Sequence, residues 1–513
     1  MSFDSRCVSA AYSSRIPPHT FRPPERAEAQ RRRPRLNNRM KTHPLYLNGE
    51  FVETGDLIDV INPATGEAFA KQATVDRAGV KQALEDAQAA FDGWRKLTGM
   101  ARADYIYKII DALKARADEC AEVIVRENGK PLPQAKGELG MTIDHLRWYA
   151  EEARRGYGRT IPHQQDGKRH LTIKTPIGVA AAIAPWNFPL VLAVRKIAPA
   201  LAAGCPVILK PASATPLSAV IFAEACHEAG LPKGVFQLVA GRASEISAEF
   251  LENPICRKIS FTGSTEVGQI LIEGAAKDIK PLSLELGGHS PVLVFDDADL
   301  DKAVEGTLIA KFRNTGQSCI AANRIYVQKG IHDRFVEKVV EKVKAMKVGD
   351  GFEEGVEIGA MVDEKALNNT LNHIADAQAK GAKLHCGGKR VEGSPGCFME
   401  PAVLTEVPDD AMGMCDESFG PVAYINSFET EEEAVTRANN TRYGLAAYAF
   451  TEDMSRAFRM TEELEAGMIT INDGVPTTTQ CPFGGVKQSG WNRELGIEGM
   501  DAFMEQKHVC IKV

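Results

Sequence analysis

The chain has 513 residues, 44% hydrophobic and 25% charged, with a formal net charge of −7. That length exceeds what one hydrophobic core serves, and the composition is that of a soluble globular protein of two or three domains. Residues 1–40 hold nine Arg against Asp4, Glu25 and Glu28, a surplus of +6 that leaves −13 on the rest and argues against a nucleic-acid-binding body.

The basic head, "RIPPHTFRPPERAEAQRRRPR", has few large apolar residues and several prolines, so it cannot bury enough surface to fold alone. An Arg-rich, acid-poor head also suits an organellar targeting peptide, but the prolines and "RRRPR" spoil an amphipathic helix. A disordered extension over 1–40 is expected, with Met40 opening the folded body in a cytoplasmic protein. A mitochondrial location is the alternative if the head is a targeting peptide.

Next, "LYLNGEFVETG" predicts a hairpin turning at Asn48-Gly49. Val75 to Asn128 has helical periodicity. Ile177 to Val194 carries no charge over 18 residues, but Pro185, Asn187 and Pro189 interrupt it. A buried strand and a loop fit that stretch better than a membrane helix. From Val179 to Phe295 short apolar strands ("GVAAAIAPW", "PVILKP", "GVFQLVAG", "KISFTG", "LSLELGG") alternate with helices. In "TPLSAVIFAEACHEAG", Thr215 is expected to cap a helix, with Pro216 in its first turn and Gly230 at its end. Such alternation implies a parallel, doubly wound α/β sheet. A second alternating block runs from about Asp299 to Ile471. The eleven cysteines lack a CxxC pair, which suits reduced thiols and no zinc site.

Four stretches carry candidate chemistry. "FRNTGQSCIAANR" sets Cys319 in a polar run between Arg313 and Arg324, a setting that favours a nucleophilic thiolate. "FTGSTEVGQIL" puts Gly263 and Ser264 ahead of a helix whose N-terminus suits a pyrophosphate, with Val267, Ile270 and Leu271 as its buried face. A mere strand-to-helix turn is the competing reading. "LELGGHS" places Glu285 after an apolar strand, where desolvation raises its pKa towards general-base use, or where a cation simply pairs with it. In "APWNFP", Asn187 offers an amide for an oxyanion, or only for its own turn.

Taken with "KPAS", "ESFGP" and "PFGGVKQSG", these motifs resemble the aldehyde dehydrogenase superfamily in order and spacing over roughly residues 45–513. The resemblance implies a doubly wound Rossmann-like cofactor domain (41–153 and 176–284) and an α/β catalytic domain (285–481). It also implies a small β oligomerisation element (154–175 and 482–513) that builds a homodimer or homotetramer. Cys319 is then the nucleophile that forms a thiohemiacetal and a thioester. Asn187 holds the oxyanion, and Glu285 activates the hydrolytic water. Lys210 and Glu417 meet the cofactor riboses, Gly263 and Ser264 the pyrophosphate, and Phe419 the nicotinamide ribose, with Trp186 a further cofactor contact. Ser213, where NAD-preferring relatives often carry Glu, leaves Lys210 free for a 2′-phosphate, so NADP is expected to be accepted alongside NAD.

"RKIAPALAAGC", "AKDIKPLSLELGG" and "KFRNTGQSC" resemble the succinate-semialdehyde dehydrogenase branch. There, two arginines and a hydroxyl hold the distal carboxylate, and Arg195, Arg313 and Thr477 match them. Glutarate and 2-oxoglutarate semialdehydes also end in a carboxylate and stay open as substrates. Ala321 stands where many branch members carry a second, regulatory cysteine. A cysteine hydrolase would need a histidine near Cys319, and no obvious one is offered.

Overall fold

The computed structural model describes residues 40–54 and 56–513, so the basic head through residue 39 lies outside it. The hairpin forms as expected: Leu45–Leu47 pairs antiparallel with Glu50–Val52. Asn48 and Gly49 both take positive φ, the geometry of a type I′ turn.

The Val179–Phe295 region builds the centre of an eight-stranded sheet. Leu282–Glu285, Cys256–Thr262, Val179–Ile183, Val207–Lys210 and Phe236–Leu238 lie side by side and parallel. The edges are antiparallel: Gly490–Trp491 on one side, Leu45–Leu47 and Glu50–Val52 on the other. The chain runs outward from Val179–Ile183 in one direction, then returns to its other side at Cys256–Thr262. That reversal is the topological switch point where doubly wound sheets take their ligands, beyond the carboxyl ends of the strands. The loops leaving those two strands carry Trp186-Asn187 and Gly263-Ser264.

A seven-stranded sheet follows, parallel except for its Lys383–Cys386 edge. Leu286–His289 joins the two sheets, so Glu285 ends the first and Ser290–Val294 opens the second. A third sheet pairs Met504–Lys512 with all nine residues of Lys168–Pro176, which also pairs with Arg159–Ile161.

Two expectations fail locally. Thr215 does not cap the Leu217–Glu228 helix; its hydroxyl points to the Trp186 carbonyl. The cap comes from the buried Glu127 carboxylate, which accepts from Leu217 N–H at 2.7 Å and Ser218 N–H at 3.0 Å. In the Thr265–Ala275 helix, Val267 and Ile270 are exposed, and Thr265, Gly268, Leu271 and Ala275 form the buried face. The apolar stripe therefore continues into solvent beside the switch point. Among the described residues no helix is long and apolar enough to cross a membrane. The 18-residue uncharged stretch is the strand Val179–Ile183, a loop, and the start of the helix Val191–Ala203.

Candidate active site

Cys319 lies on the loop before Ala322–Gln328, and a strained turn delivers it. Asn314 and Thr315 both have left-handed φ, at +53° and +57°. For β-branched Thr315 this is a costly conformation, on the order of 1–3 kcal/mol. It is held by a reciprocal pair: Thr315 Oγ1 donates to Gly359 C=O at 3.2 Å and accepts from Gly359 N–H at 3.1 Å. Gly288 lets the joining segment pass beneath Cys319, since a Cβ there would stand 2.0 Å from the Cys319 carbonyl oxygen.

The thiol keeps some exposure, yet its pKa is pushed up to about 12. Burial is the main cause; the Glu417 and Glu285 carboxylates add to it and Arg195 opposes it. The expectation that flanking arginines favour the thiolate is therefore corrected. Arg324 faces away, donating to the carbonyls of His289, Arg437 and Ala438. Among the described arginines, Arg313 and Arg195 act on Cys319, and burial outweighs them.

Asn187 is buried, and its amide nitrogen donates to Gln317 C=O at 3.1 Å, which leaves its second N–H uncommitted. The Cys319 N–H faces its own sulfur. The Asn187 amide and the Cys319 N–H are thus the two candidate donors for an oxygen on the attacked carbon. Glu285 is buried, with one carboxylate oxygen unpaired. Burial, reinforced by the Glu494 carboxylate, holds its pKa well above the usual carboxylate range.

Two residues here had no place in the sequence reading. Lys196 is fully buried and ties Thr262 Oγ1, at 2.5 Å, to Glu494. Glu494 is itself fixed by reciprocal backbone bonds with Phe483. The signal was present: Arg195-Lys196 are two charges inside an otherwise apolar helix, buried on every residue. Such charges persist inside only where something answers them.

The cofactor candidates gather at the switch point. Ser264 caps the Thr265–Ala275 helix and is exposed at its N-terminus. The Gly263 N–H is already committed to Glu285 C=O at 3.0 Å, so the free amides belong to the helix. Lys210 ends its strand with burial lowering its pKa to about 8 and no charged partner among the described residues, and Ser213 is exposed in the next loop. Trp186 and Phe419 meet edge to face at 5.4 Å and line a cavity of about 590 Å³ with Asn368 and Asn369. Glu417 accepts from Gly288 N–H at 3.3 Å, and burial lifts its pKa to about 8. Free helix amides, an unpaired lysine and an aromatic wall fit a dinucleotide.

On the other side of Cys319, Arg195 lies 4.4 Å above the Phe483 ring and Arg313 5.3 Å above the Phe188 ring. Arg195 is buried with its Nε unpaired, and among the described residues neither arginine makes an ion pair. Arg313 lines a cavity of about 740 Å³ with Gln134, Leu308, Ile309 and Phe312. Thr477 is half-buried in the loop before Phe483; the neighbouring Thr479 bonds Asp144.

Comparison with known proteins shows the family of the chain. The aldehyde dehydrogenase family pattern matches residues 51–509. The chain belongs to the aldehyde dehydrogenase family. It is 47% identical over 470 residues to the glutarate-semialdehyde dehydrogenase of Pseudomonas putida KT2440, covering 91% of this chain and 97% of that one. It is also 47% identical over 467 residues to the NADP(+) succinate-semialdehyde dehydrogenase of Escherichia coli K12, with the same coverage. The crystal structure of succinate-semialdehyde dehydrogenase from Burkholderia pseudomallei superposes with a TM-score of 0.91 at 44% identity, covering 93% of this chain and 99% of that one. The enzyme is an NAD(P)-dependent aldehyde dehydrogenase of mixed α/β fold.

Proposed function

We propose that this aldehyde dehydrogenase oxidises a carboxylate-bearing semialdehyde, succinate semialdehyde foremost, and that it accepts NADP as well as NAD. The observation that carries the reading is the pair of arginines beside Cys319. Each rests on an aromatic ring with no carboxylate partner among the described residues. Arginines buried without counter-ions are costly, and a substrate carboxylate gripped by their forks repays that cost. Thr477 is the third candidate contact. Because the two relatives at equal identity bear different substrate names, glutarate semialdehyde is the second reading.

A bound nicotinamide dinucleotide supplies the hydride acceptor. In this reading Lys210 and Glu417 hold its riboses, the amides behind Ser264 its pyrophosphate, and Trp186 and Phe419 the nicotinamide side. The exposed Val267 and Ile270 offer an apolar shelf alongside. Ser213 presents no carboxylate to repel a 2′-phosphate.

Cys319 gives its proton to Glu285 and attacks the aldehyde carbon, and the Asn187 amide with the Cys319 N–H holds the oxyanion. The oxidised carbon stays on Cys319 as a thioester. Glu285 passes the thiol's proton out by way of Lys196 and Glu494 and, ionised again, takes a proton from the water that attacks the thioester and releases the Cys319 thiolate. Three regions divide the work: 41–153 with 176–284 for the cofactor, 285–481 for catalysis, and 154–175 with 482–513 for assembly. A cytoplasmic homodimer or homotetramer completes the reading. It is supported by the long Met504–Lys512 strand at the molecule's surface and by cysteines without a paired motif.

The test is kcat/KM for succinate semialdehyde, glutarate semialdehyde and butanal, with NADP and NAD, on wild type and Arg195→Ala. The acid aldehydes should lead by about 100-fold or more, and Arg195→Ala should erase that lead. Equal turnover of butanal, unchanged by the substitution, would make the arginines structural and withdraw the semialdehyde assignment.

A further inference from the structure

Asn187 is held from behind by an ion pair that the chemistry does not use directly. Lys130 lies in the turn between the helices Ala117–Asn128 and Leu132–Glu152, and Glu138 lies in the second of these. Their side chains are both fully buried and meet at 2.6 Å. Lys130 Nζ also donates to the Asn187 carbonyl at 2.8 Å and sits 4.0 Å from the Phe188 ring. The other oxygen of Glu138 accepts from Leu190 N–H at 2.9 Å and Val191 N–H at 3.2 Å. Those amides open the Val191–Ala203 helix, which has no side-chain cap of its own at Leu190. One ion pair therefore grips both ends of the segment 187–191.

The grip is reinforced on the nucleophile's side. Asn314 Nδ2, in the strained turn before Cys319, donates to the same Asn187 carbonyl at 2.8 Å and to Gln317 C=O at 3.2 Å. The Asn187 side chain donates to that same Gln317 carbonyl at 3.1 Å. Asn128 Nδ2 adds a bond to Trp186 C=O at 2.9 Å. The network runs without a break from Glu138 to the residue two before Cys319.

Burying a full ion pair is seldom a gain in stability, because desolvation offsets the attraction. What it gives is a fixed geometry, and an oxyanion donor needs its position fixed to a fraction of an ångström. We propose that Lys130 and Glu138 are positioning residues for the oxyanion hole: together they aim the Asn187 amide at the attacked carbonyl and set the start of the helix that carries Arg195 and Lys196. The proposal rests on the oxyanion role of Asn187 given above.

The test is a double-mutant cycle read in the first turnover. The full-length enzyme with saturating NADP is mixed rapidly with butanal, an uncharged aldehyde on which the carboxylate clamp has no hold. The burst of NADPH gives the rate constant of the first turnover. Lys130→Met should slow it by about 10- to 100-fold, while NADP affinity by fluorescence titration stays within about twofold of wild type. Asn187→Ala should slow it by about 100-fold or more. In the Asn187→Ala background, Lys130→Met should then cost less than about twofold, since in the first turnover of an uncharged aldehyde its effect passes through that amide. Glu138→Gln keeps an acceptor for the two amides and removes the charge that holds Lys130. It should slow the burst by several-fold in wild type and not at all in Asn187→Ala, and it serves if Lys130→Met does not fold. Multiplying effects, or an unchanged burst in both variants, would overturn the proposal while leaving Asn187 in its role. An unchanged burst in Asn187→Ala would overturn the oxyanion reading itself and the proposal with it.

Discussion

A thiol pushed up to about 12 is an unready nucleophile, and its environment says why. The Cys319 sulfur is half-buried, burial and the Glu417 and Glu285 carboxylates work against its charge, and Arg195 and Arg313 oppose them. At neutral pH almost none of it is thiolate, so attack needs a base at the moment substrate binds, and Glu285 holds a pKa raised in the right direction. In the enzyme without cofactor, inactivation by iodoacetamide should therefore quicken about tenfold per pH unit from about pH 7 to about pH 10, with no plateau. A plateau between about pH 7.5 and about pH 9 would show that the cations prevail over burial. Glu417→Gln should speed the alkylation, and only above about pH 8, where the wild-type carboxylate becomes charged. Peptide mapping of the labelled cysteine checks that Cys319 is the residue observed.

At the scale of elements, the helices and strands around the site depend on groups far away in sequence. The Leu217–Glu228 helix begins behind Pro216 with no cap from its own residues, and Glu127 reaches it across the fold. Replacing Glu127 by Ala leaves two buried amides unpaired and should cost about 2–4 kcal/mol, read as a fall in urea midpoint. Glu127→Gln tests the charge alone. Burial lifts the Glu127 pKa to about 7 against 4.5 in the unfolded chain. Between those values the folded protein holds a proton that the unfolded chain has released, so the wild type loses stability as pH rises from about 4.5 to about 7. The Gln variant does not titrate, so its stability relative to wild type should climb over that window and level off above it. A difference independent of pH would mean that Glu127 is ionised throughout. The segment beneath the nucleophile is as sensitive. A Cβ at Gly288 collides with the Cys319 backbone, so Gly288→Ala should lower kcat by at least about 100-fold, measured with the best aldehyde.

At the scale of the molecule, the proposed active site exists only where two sheets meet. The first brings Asn187, Glu285, Lys210 and Ser264 to its carboxyl edge, and the second brings Cys319, Arg313 and Glu417 against it. A dinucleotide at that edge binds the folded state alone, so it should raise the thermal midpoint with concentration, as mass action requires. If Ser213 leaves room for a 2′-phosphate, NADP should raise the midpoint at least as much as NAD at equal concentration, by differential scanning fluorimetry. A shift with NAD and none with NADP would reverse the cofactor reading.

The sequence by itself determined what is local. Asn48-Gly49 dictates its own turn, period-two and period-3.6 patterns set most strands and helices, and long motifs in register marked the family and offered Cys319, Glu285 and Asn187 as candidates for its chemistry. It misjudged whatever depends on what lies opposite. Val267 and Ile270 have the spacing of a core face, yet the packing of the Thr265–Ala275 helix leaves them in solvent. Thr215 has the chemistry of a cap, yet a buried glutamate from another helix takes the position. The arginines around Cys319 looked alike until the fold turned Arg324 towards carbonyls and Arg313 onto the Phe188 ring. Lys130, Glu138, Lys196 and Glu494 were invisible as a network because a buried charge is stable only with its partner, and the partners are joined in space by folding, across as many as 298 positions of sequence.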